Sequence, residues 1–316
     1  MPPPDDPAAL PSLVDVGRRP LGPDLTVGPL AFGCWRFVDT DMAAGRELVE
    51  TALDLDMDLV DTADIYGQGF GGSGFGAAEE RLGAILAEAP SLRERMVLVT
   101  KGGIRPGVGY DSSADHLVAA CEASLRRLGV EAVDCYLVHR PDLLGHPAEI
   151  AEALDTLVTA GKARTVGVSN HTPAQTEVLA YHLAAPVVAT QPELSAAHLA
   201  PLRDGTGDLA MREGHAVLAW SPLAGGRLAG GQHGGGDVPG VRPELLALLD
   251  ELAEREETDR AAMALAFVLA LPFRPVAICG TQTPQRLRDA QRALAVRLDR
   301  SDCYRIIEAA EGAPLP

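Results

Sequence analysis

Residues 96–139 read MVLVTKGGIRPGVGYDSSADHLVAACEASLRRLGVEAVDCYLVH. Two short β-rich runs, Met96–Lys101 and Val133–His139, open and close this stretch, and both are apolar almost without a break. Strands buried on both faces of a parallel sheet read this way. Between the runs, Val118, Cys121, Leu125 and Leu128 recur three or four residues apart, which is the period of a helix with one buried face. Ser113 and Asp115 offer N-caps ahead of that helix over His116–Leu128. The stretch therefore predicts a strand–helix–strand crossover, the unit from which parallel sheets are built.

The same alternation extends in both directions. Six more strand-like runs are Pro29–Cys34, Asp58–Thr62, Ala163–Val168, Pro186–Thr190, His215–Trp220 and Pro275–Cys279. Helical periods fill Ala77–Leu86, Ile150–Val158 and Ala261–Leu271, and Thr172-Pro173 supplies a cap followed by proline at a first helical position. Eight strands alternating with eight helices predict an α/β fold, a (β/α)8 TIM barrel. Two additions break the period. The segment Leu13–Leu30 carries turn signals that predict a hairpin closing the barrel floor, and a Gly-rich stretch, Ala224–Gly240, precedes an extra helix near Pro243–Leu252 after the seventh strand. Residues 1–12 read as a flexible tail, leaving 13–316 as one domain.

Composition narrows the function. With 27 Lys and Arg against 44 Asp and Glu among 316 residues, the formal charge is −17, so bulk attraction to nucleic acid or an anionic membrane is excluded. No apolar run approaches the roughly 18 residues of a membrane helix, and the first residues lack the basic and apolar regions of a secretory signal. The five cysteines (Cys34, Cys121, Cys135, Cys279 and Cys303) are scattered without a CxxC pair and read as reduced thiols. A soluble cytoplasmic protein with a small-molecule ligand is expected, as a monomer or weak homo-oligomer.

In such a barrel the chemistry gathers at the C-terminal ends of the strands. There the sequence delivers Asp61, Lys101, His139, Ser169-Asn170, Gln191, Ser221 and Thr281. Asp61 and Lys101 end consecutive strands and are expected to pair. A rim salt bridge would use the same two residues, but Tyr66 follows on the Asp61 loop and His139 ends the next strand. An ammonium beside a phenol favours the phenolate, which predicts a lowered Tyr66 pKa and a usable general acid. His139 is placed to hydrogen-bond a carbonyl oxygen. The eight histidines show no HxH or HxxxH pairing, so no metal site is expected. Gly67–Gly72 fits GxGxxG, yet four residues separate it from its strand, and it reads as a flexible loop rather than a dinucleotide turn. Thr283 and Pro284 predict a helix N-terminus after the last strand, where Arg286 and Arg288 add local positive charge. Trp35 and Trp220 fall at strand ends, where either can wall a pocket or stack on a flat ring.

The motifs GCW (Gly33–Trp35), DTADIYG (Asp61–Gly67), LVTKGG (Leu98–Gly103), LVHRPD (Leu137–Asp142), GVSN (Gly167–Asn170), QPELS (Gln191–Ser195), AWSPLAGG (Ala219–Gly226) and ICGTQTPQRL (Ile278–Leu287) resemble, in order, those of the aldo-keto reductase family. The HRPD and AWSPLAGG forms are most similar to its bacterial YdhF-type oxidoreductases. The resemblance implies metal-free, NAD(P)H-dependent reduction of an aldehyde or ketone. Tyr66 matches the family's general acid, Lys101 and Asp61 the pair that tunes it, and His139 the carbonyl-orienting group. Ser169, Asn170 and Gln191 match the residues that hold the nicotinamide carboxamide, and Trp220 matches the ring-stacking position. Ser221, Pro222, Leu223 and Gly225 match the pyrophosphate loop, while Thr281 and Arg286 match contacts to the 2′-phosphate, favouring NADPH over NADH. Gly33, Cys34, Trp35, Gly280 and Asp289 complete the implied cofactor set. Gly280 stands where many members carry a phosphate-binding lysine, and Ala290 replaces a common asparagine. Rival readings are a redox-sensing subunit resembling the potassium-channel β subunits, or a barrel isomerase or hydrolase that uses Asp61 and His139 without nicotinamide.

Overall fold

Each of the eight apolar runs forms a strand, and the strands close on themselves. The computed structural model describes residues 10–38, 41–68, 74–230 and 239–315. A hairpin of β1 (Arg19–Pro20) and β2 (Thr26–Val27) comes first. The barrel then begins with β3 (Leu30–Gly33), β4 (Leu59–Asp61) and β5 (Val97–Gly102). After a small antiparallel pair, β6 (Ile104–Arg105) and β7 (Gly109–Tyr110), it continues through β8 (Val133–Val138), β9 (Ala163–Ser169), β10 (Val187–Gln191), β11 (Ala216–Ala219) and β12 (Val276–Cys279). The eight barrel strands pair in parallel, and β12 returns to β3.

Helices α1 (Met42–Asp54), α2 (Ala77–Glu88), the single turn α3 (Ser91–Glu94), α4 (Ala114–Leu128), α5 (Pro147–Thr159), α6 (Pro173–His182) and α7 (Thr206–Glu213) alternate with the strands. Two helices, α8 (Pro243–Arg255) and α9 (Arg260–Leu269), occupy the interval between β11 and β12, so the extra helix expected there is present. The chain ends with α10 (Pro284–Ala290) and α11 (Arg300–Glu311). Thr172 and Gln175 form the reciprocal capping box at α6. The other expected caps differ, and Asp115 lies inside the first turn of α4 rather than ahead of it. Ser113 Oγ donates to Asp111 Oδ1 at 2.7 Å instead of capping α4, because a carboxylate two residues upstream is the stronger acceptor. Thr283 stands at the N-cap of α10 but makes no side-chain cap; its amide donates to Thr281 Oγ1 at 3.1 Å.

Strand alternation splits the interior into two cores. Ala31, Leu59, Val97, Val99, Cys135, Leu137, Ala216, Leu218, Val276 and Ile278 fill the barrel, and Leu21 and Val27 of the hairpin segment pack beneath them as its floor. Phe32, Val60, Leu98, Tyr136, Val138, Val166, Val168 and Val217 face outward against the helices. The two-residue period then fixes what stands above the inner core: Gly33, Asp61, Lys101, His139, Ser169, Gln191, Trp220 and Gly280 are all in phase with it. Helices α2 and α4 approach so closely that a Cβ on Gly83 would lie 2.0 Å from the Arg127 carbonyl oxygen.

All five cysteines are buried and unpaired. Among the described residues, no helix is long and apolar enough to cross a membrane. Residues 1–9 of the expected tail, 69–73 of the Gly-rich loop after β4 and 231–238 of that after β11 lie outside the described residues. The closed barrel removes the doubly wound sheet that a GxGxxG dinucleotide turn would require.

Leu21 is fully buried in the floor of the barrel. Leu21→Ala should lower the unfolding free energy by about 2–5 kcal/mol, measured by urea titration, through the cavity it leaves.

Candidate active site

The site begins with one lysine. Lys101 ends the inner face of β5 and is 0% exposed. Its ammonium donates to Asp61 Oδ2 at 2.8 Å, to the Thr62 carbonyl at 2.8 Å and to Tyr66 Oη at 3.0 Å, which uses all three of its protons. The second oxygen of Asp61 accepts from Gln191 Nε2 at 2.8 Å. Tyr66 is held by a turn whose amides reach both neighbours. The Asp64 amide donates to Lys101 O, that of Tyr66 to Ala63 O, and that of Ala78 in α2 to Tyr66 O. The His139 imidazole meets the Tyr66 ring edge-on, with 5.8 Å between centroids and 77° between planes.

Burial and charge set the protonation of these groups. Burial works against the Lys101 ammonium, yet the Asp61 carboxylate and the Tyr66 oxygen outweigh it, and its pKa is raised. For Tyr66 the expected lowering is not what the surroundings produce. Burial pushes the phenol up, Asp61 pushes with it, and together they overcome the downward pull of Lys101. The phenol thus keeps its proton at neutral pH, and Lys101 is bonded to the oxygen that would carry charge once the proton leaves. His139 is driven well below its ordinary range by burial and by the charges of Lys101 and Arg140, so its imidazole is neutral; its Nδ1 is buried without a partner.

The remaining strand ends interlock around this group. Ser169 Oγ donates to Gln191 O at 2.9 Å. Asn170, in the left-handed region at φ +59°, donates through Nδ2 to His139 O (3.2 Å) and Ser169 Oγ (2.8 Å), and its Oδ1 accepts from Trp220 Nε1 at 3.0 Å. The Trp220 ring is thereby fixed, with the Arg140 guanidinium 5.9 Å from its centroid. Downstream of Trp220, Ser221 and Ala224 hold positive φ (51° and 50°) although neither is glycine, and Gly225 and Gly226 follow at 69° and 96°. Such strain is kept where the surroundings impose it, often at ligand sites. Among the described residues, a Cβ at Gly225 or Gly226 would meet nothing within 4 Å. Pro222 is buried beneath it and Leu223 is half-buried.

Other sequence-derived residues sit at the rim. Trp35 is 39% exposed, and Arg36 spans from its ring to the Gly225 carbonyl at 3.4 Å, linking the first and seventh loops. The Cys34 thiol packs into the outer core, so this residue can reach the mouth only through its backbone. Gly33 has no room for a side chain, since a Cβ there would lie 2.7 Å from Ile278 Cγ2. Gly280 is exposed and Thr281 half-buried. Arg286 is exposed on α10, where Asp289 accepts from Gln285 Nε2 at 3.0 Å; neither is bonded to the network around Lys101. Among the described residues, no three His, Cys, Asp or Glu side chains gather as a metal ion would need. Two participants carried no signal of their role in the sequence. The Thr62 carbonyl contributes only backbone, and Arg140, inside the HRPD motif, shows its place beside Trp220 only once β8 and β11 share a barrel.

The description of the aldo/keto reductase family matches residues 29–311. A 6-dehydroglucose reductase of Novosphingobium aromaticivorans is 42% identical, with 92% of this chain and 94% of the relative covered. Oxidoreductase YdhF of Escherichia coli is 36% identical, with 94% and 97% covered. Among solved structures, a glycerol dehydrogenase from Gluconobacter oxydans superposes with a TM-score of 0.79 at 25% identity, covering 95% of this chain and 97% of that one. The chain belongs to the aldo-keto reductase family.

Proposed function

We propose that this chain, acting as one domain over residues 13–316, reduces an aldehyde or ketone to an alcohol with Tyr66 as the proton donor. The observation that carries the reading is the Lys101 ammonium bonded at once to Asp61 and Tyr66, beside a neutral His139. Tyr66 gives its proton to the carbonyl oxygen as that oxygen gains charge. Lys101 stabilises the phenolate left behind, and Asp61 keeps the ammonium in place against the cost of burying it. His139, uncharged, donates a hydrogen bond that fixes the carbonyl oxygen near Tyr66 without competing as an acid.

NADPH is the cofactor that the residues around the mouth fit, with NADH as the lesser alternative; when bound, it supplies a hydride to the carbonyl carbon. The fixed Trp220 ring offers an aromatic face, and the positive-φ loop Ser221–Gly226 leaves its backbone open to a phosphate. Ser169, Asn170 and Gln191 would hold the carboxamide, Gly33, Cys34 and Trp35 would flank it, and Ser221, Pro222, Leu223 and Gly225 would take the pyrophosphate. Gly280, Thr281, Arg286 and Asp289 would take the adenosine end, with exposed Arg286 reading the 2′-phosphate. The substrate is a small molecule, and the two relatives named 6-dehydroglucose reductase, 42% and 35% identical, favour a polyhydroxylated aldehyde. The setting is the cytoplasm.

Tyr66→Phe should lower kcat for carbonyl reduction by about 10²–10⁴ while leaving cofactor affinity unchanged, because the hydroxyl acts in the transition state. Steady-state NADPH oxidation with an aldehyde panel that includes sugars, alongside titration of the protein's tryptophan fluorescence with cofactor, measures both; retained turnover would refute the assignment. Arg286→Ala should weaken NADPH about 10–100-fold and NADH little, the loss of one charge-assisted contact. Equal losses for the two cofactors would show that Arg286 does not read the phosphate.

A further inference from the structure

Beneath the Tyr66 turn lies a second buried acid. Asp64, two residues before Tyr66, is 1% exposed, and among the described residues its carboxyl oxygens have no partner beyond the amide of the adjacent Ile65. The groups around it are unequally served. Glu79 of α2, fully buried, accepts from Thr100 Oγ1 at 2.5 Å through one oxygen and from Arg127 Nε of α4 at 2.7 Å through the other. Lys101 of β5 has no proton left, since Asp61, Thr62 and Tyr66 take all three. Tyr136 of β8 and Cys121 of α4 are kept uncharged by burial. Two carboxyl groups therefore face one available cation, and Glu79 holds it. An ionised carboxylate at 64 would sit without a cation of its own in the interior, which is costly unless the group neutralises instead.

We propose that Asp64 is a positioning residue that works as a neutral carboxylic acid. With its proton in place the Tyr66 turn packs between β5 and α2; its ionisation displaces that turn and takes the proton donor away from Lys101. The turn is tied at both ends, by the Asp64 amide to Lys101 O at 3.1 Å and by the Ala78 amide to Tyr66 O at 3.2 Å, so a charge placed between them strains both anchors. Burial, reinforced by the Glu79 charge, lifts the Asp64 carboxyl to about 8 against the pull of Arg127, the Ile65 amide and Lys101. Tyr66 itself is shifted upward from its ordinary value of 10, so the two titrations are separable. The kinetic consequence rests on Tyr66 being the proton donor, whereas the stability consequence does not.

The sign follows from proton counts. An unfolded aspartate loses its proton near about 3.9, and the folded one keeps it to about 8, so between those values the folded state holds one proton more. Stability falls as pH rises through that window and levels above it. Asp64→Asn preserves shape and neutrality and removes this slope. Melting temperatures of the two unliganded proteins from about pH 5 to 9.5 should show a gap in favour of the variant that widens up to about pH 8 and then stays constant. With saturating NADPH and an aldehyde, the natural chain should lose about tenfold in rate between about pH 7 and 9, while Asp64→Asn stays flat. A constant melting gap together with superimposable pH–rate profiles would overturn the proposal. A natural chain without activity would sink the Tyr66 reading, and the melting series would still decide Asp64. Should Asp64→Asn not fold, Glu79→Gln takes its place: removing the neighbouring charge should move the break in the melting profile down by about one pH unit, and an unmoved break overturns the proposal.

Discussion

A buried ammonium is tolerable only when every proton on it has an acceptor, and Lys101 meets that demand with three different kinds of oxygen. Asp61 supplies the opposite charge, the Thr62 carbonyl supplies geometry, and Tyr66 supplies the group with chemistry to perform. Removing any one would leave a donor unpaired on an ammonium that is itself fully buried. Much of the local structure follows from this requirement. Asp61 must end β4 on the inner face, the chain must turn at once so that Thr62 presents its carbonyl, and Tyr66 must come back over the strand ends. Gln191, reaching from β10, closes the set by occupying the other Asp61 oxygen.

The barrel meets the requirement through phase alone. On β5 the inner positions run Val97, Val99, Lys101; on β8 they run Cys135, Leu137, His139; on β4, Leu59 and then Asp61. Each strand places apolar side chains low in the barrel and a polar one at the next inward step. Trp220 and Gly280 obey the same count on β11 and β12, one bringing an aromatic face to the mouth and the other leaving it open. A one-residue slip of any strand would send its functional side chain into the helix layer.

Much of this was legible in the sequence because phase and burial leave a mark on residue type. All eight strands, the floor hairpin and the extra helix before β12 are where apolar runs and turn residues place them, and the contact of Asp61, Lys101 and Tyr66 follows from neighbouring strand ends. What was not legible depends on competition between groups. Ser113 is a good cap by type, but Asp111 captures its hydroxyl; Thr283 is another, and only its position is used. The direction of the Tyr66 shift could not be read from an adjacent lysine, since burial and Asp61 outweigh that lysine, and neither is a property of the local motif. The β6–β7 pair has strands of two residues, too short for any period to register. Arg36 and Arg140 gain meaning only from partners, Gly225 and Trp220, that lie far along the chain.

Asp61 and Asp64 show most sharply why residue type does not determine role. They are three residues apart, Asp61 at the end of β4 and Asp64 on the loop that follows, both buried, both within the field of Lys101. Asp61 lies in the phase that faces the ammonium and is bonded to it; Asp64, which opens the turn, lies in the field of Glu79, whose charge Arg127 already matches. The first can hold charge because a cation and an amide complete it, and the second can remain only by giving charge up. The same motif, DTADIYG, thus carries an acid that must be ionised and an acid that must not be, with Tyr66 suspended from the loop between them and Gly67. A proton donor held this way responds to two electrostatic balances, one through its own hydroxyl and one through the backbone that carries it.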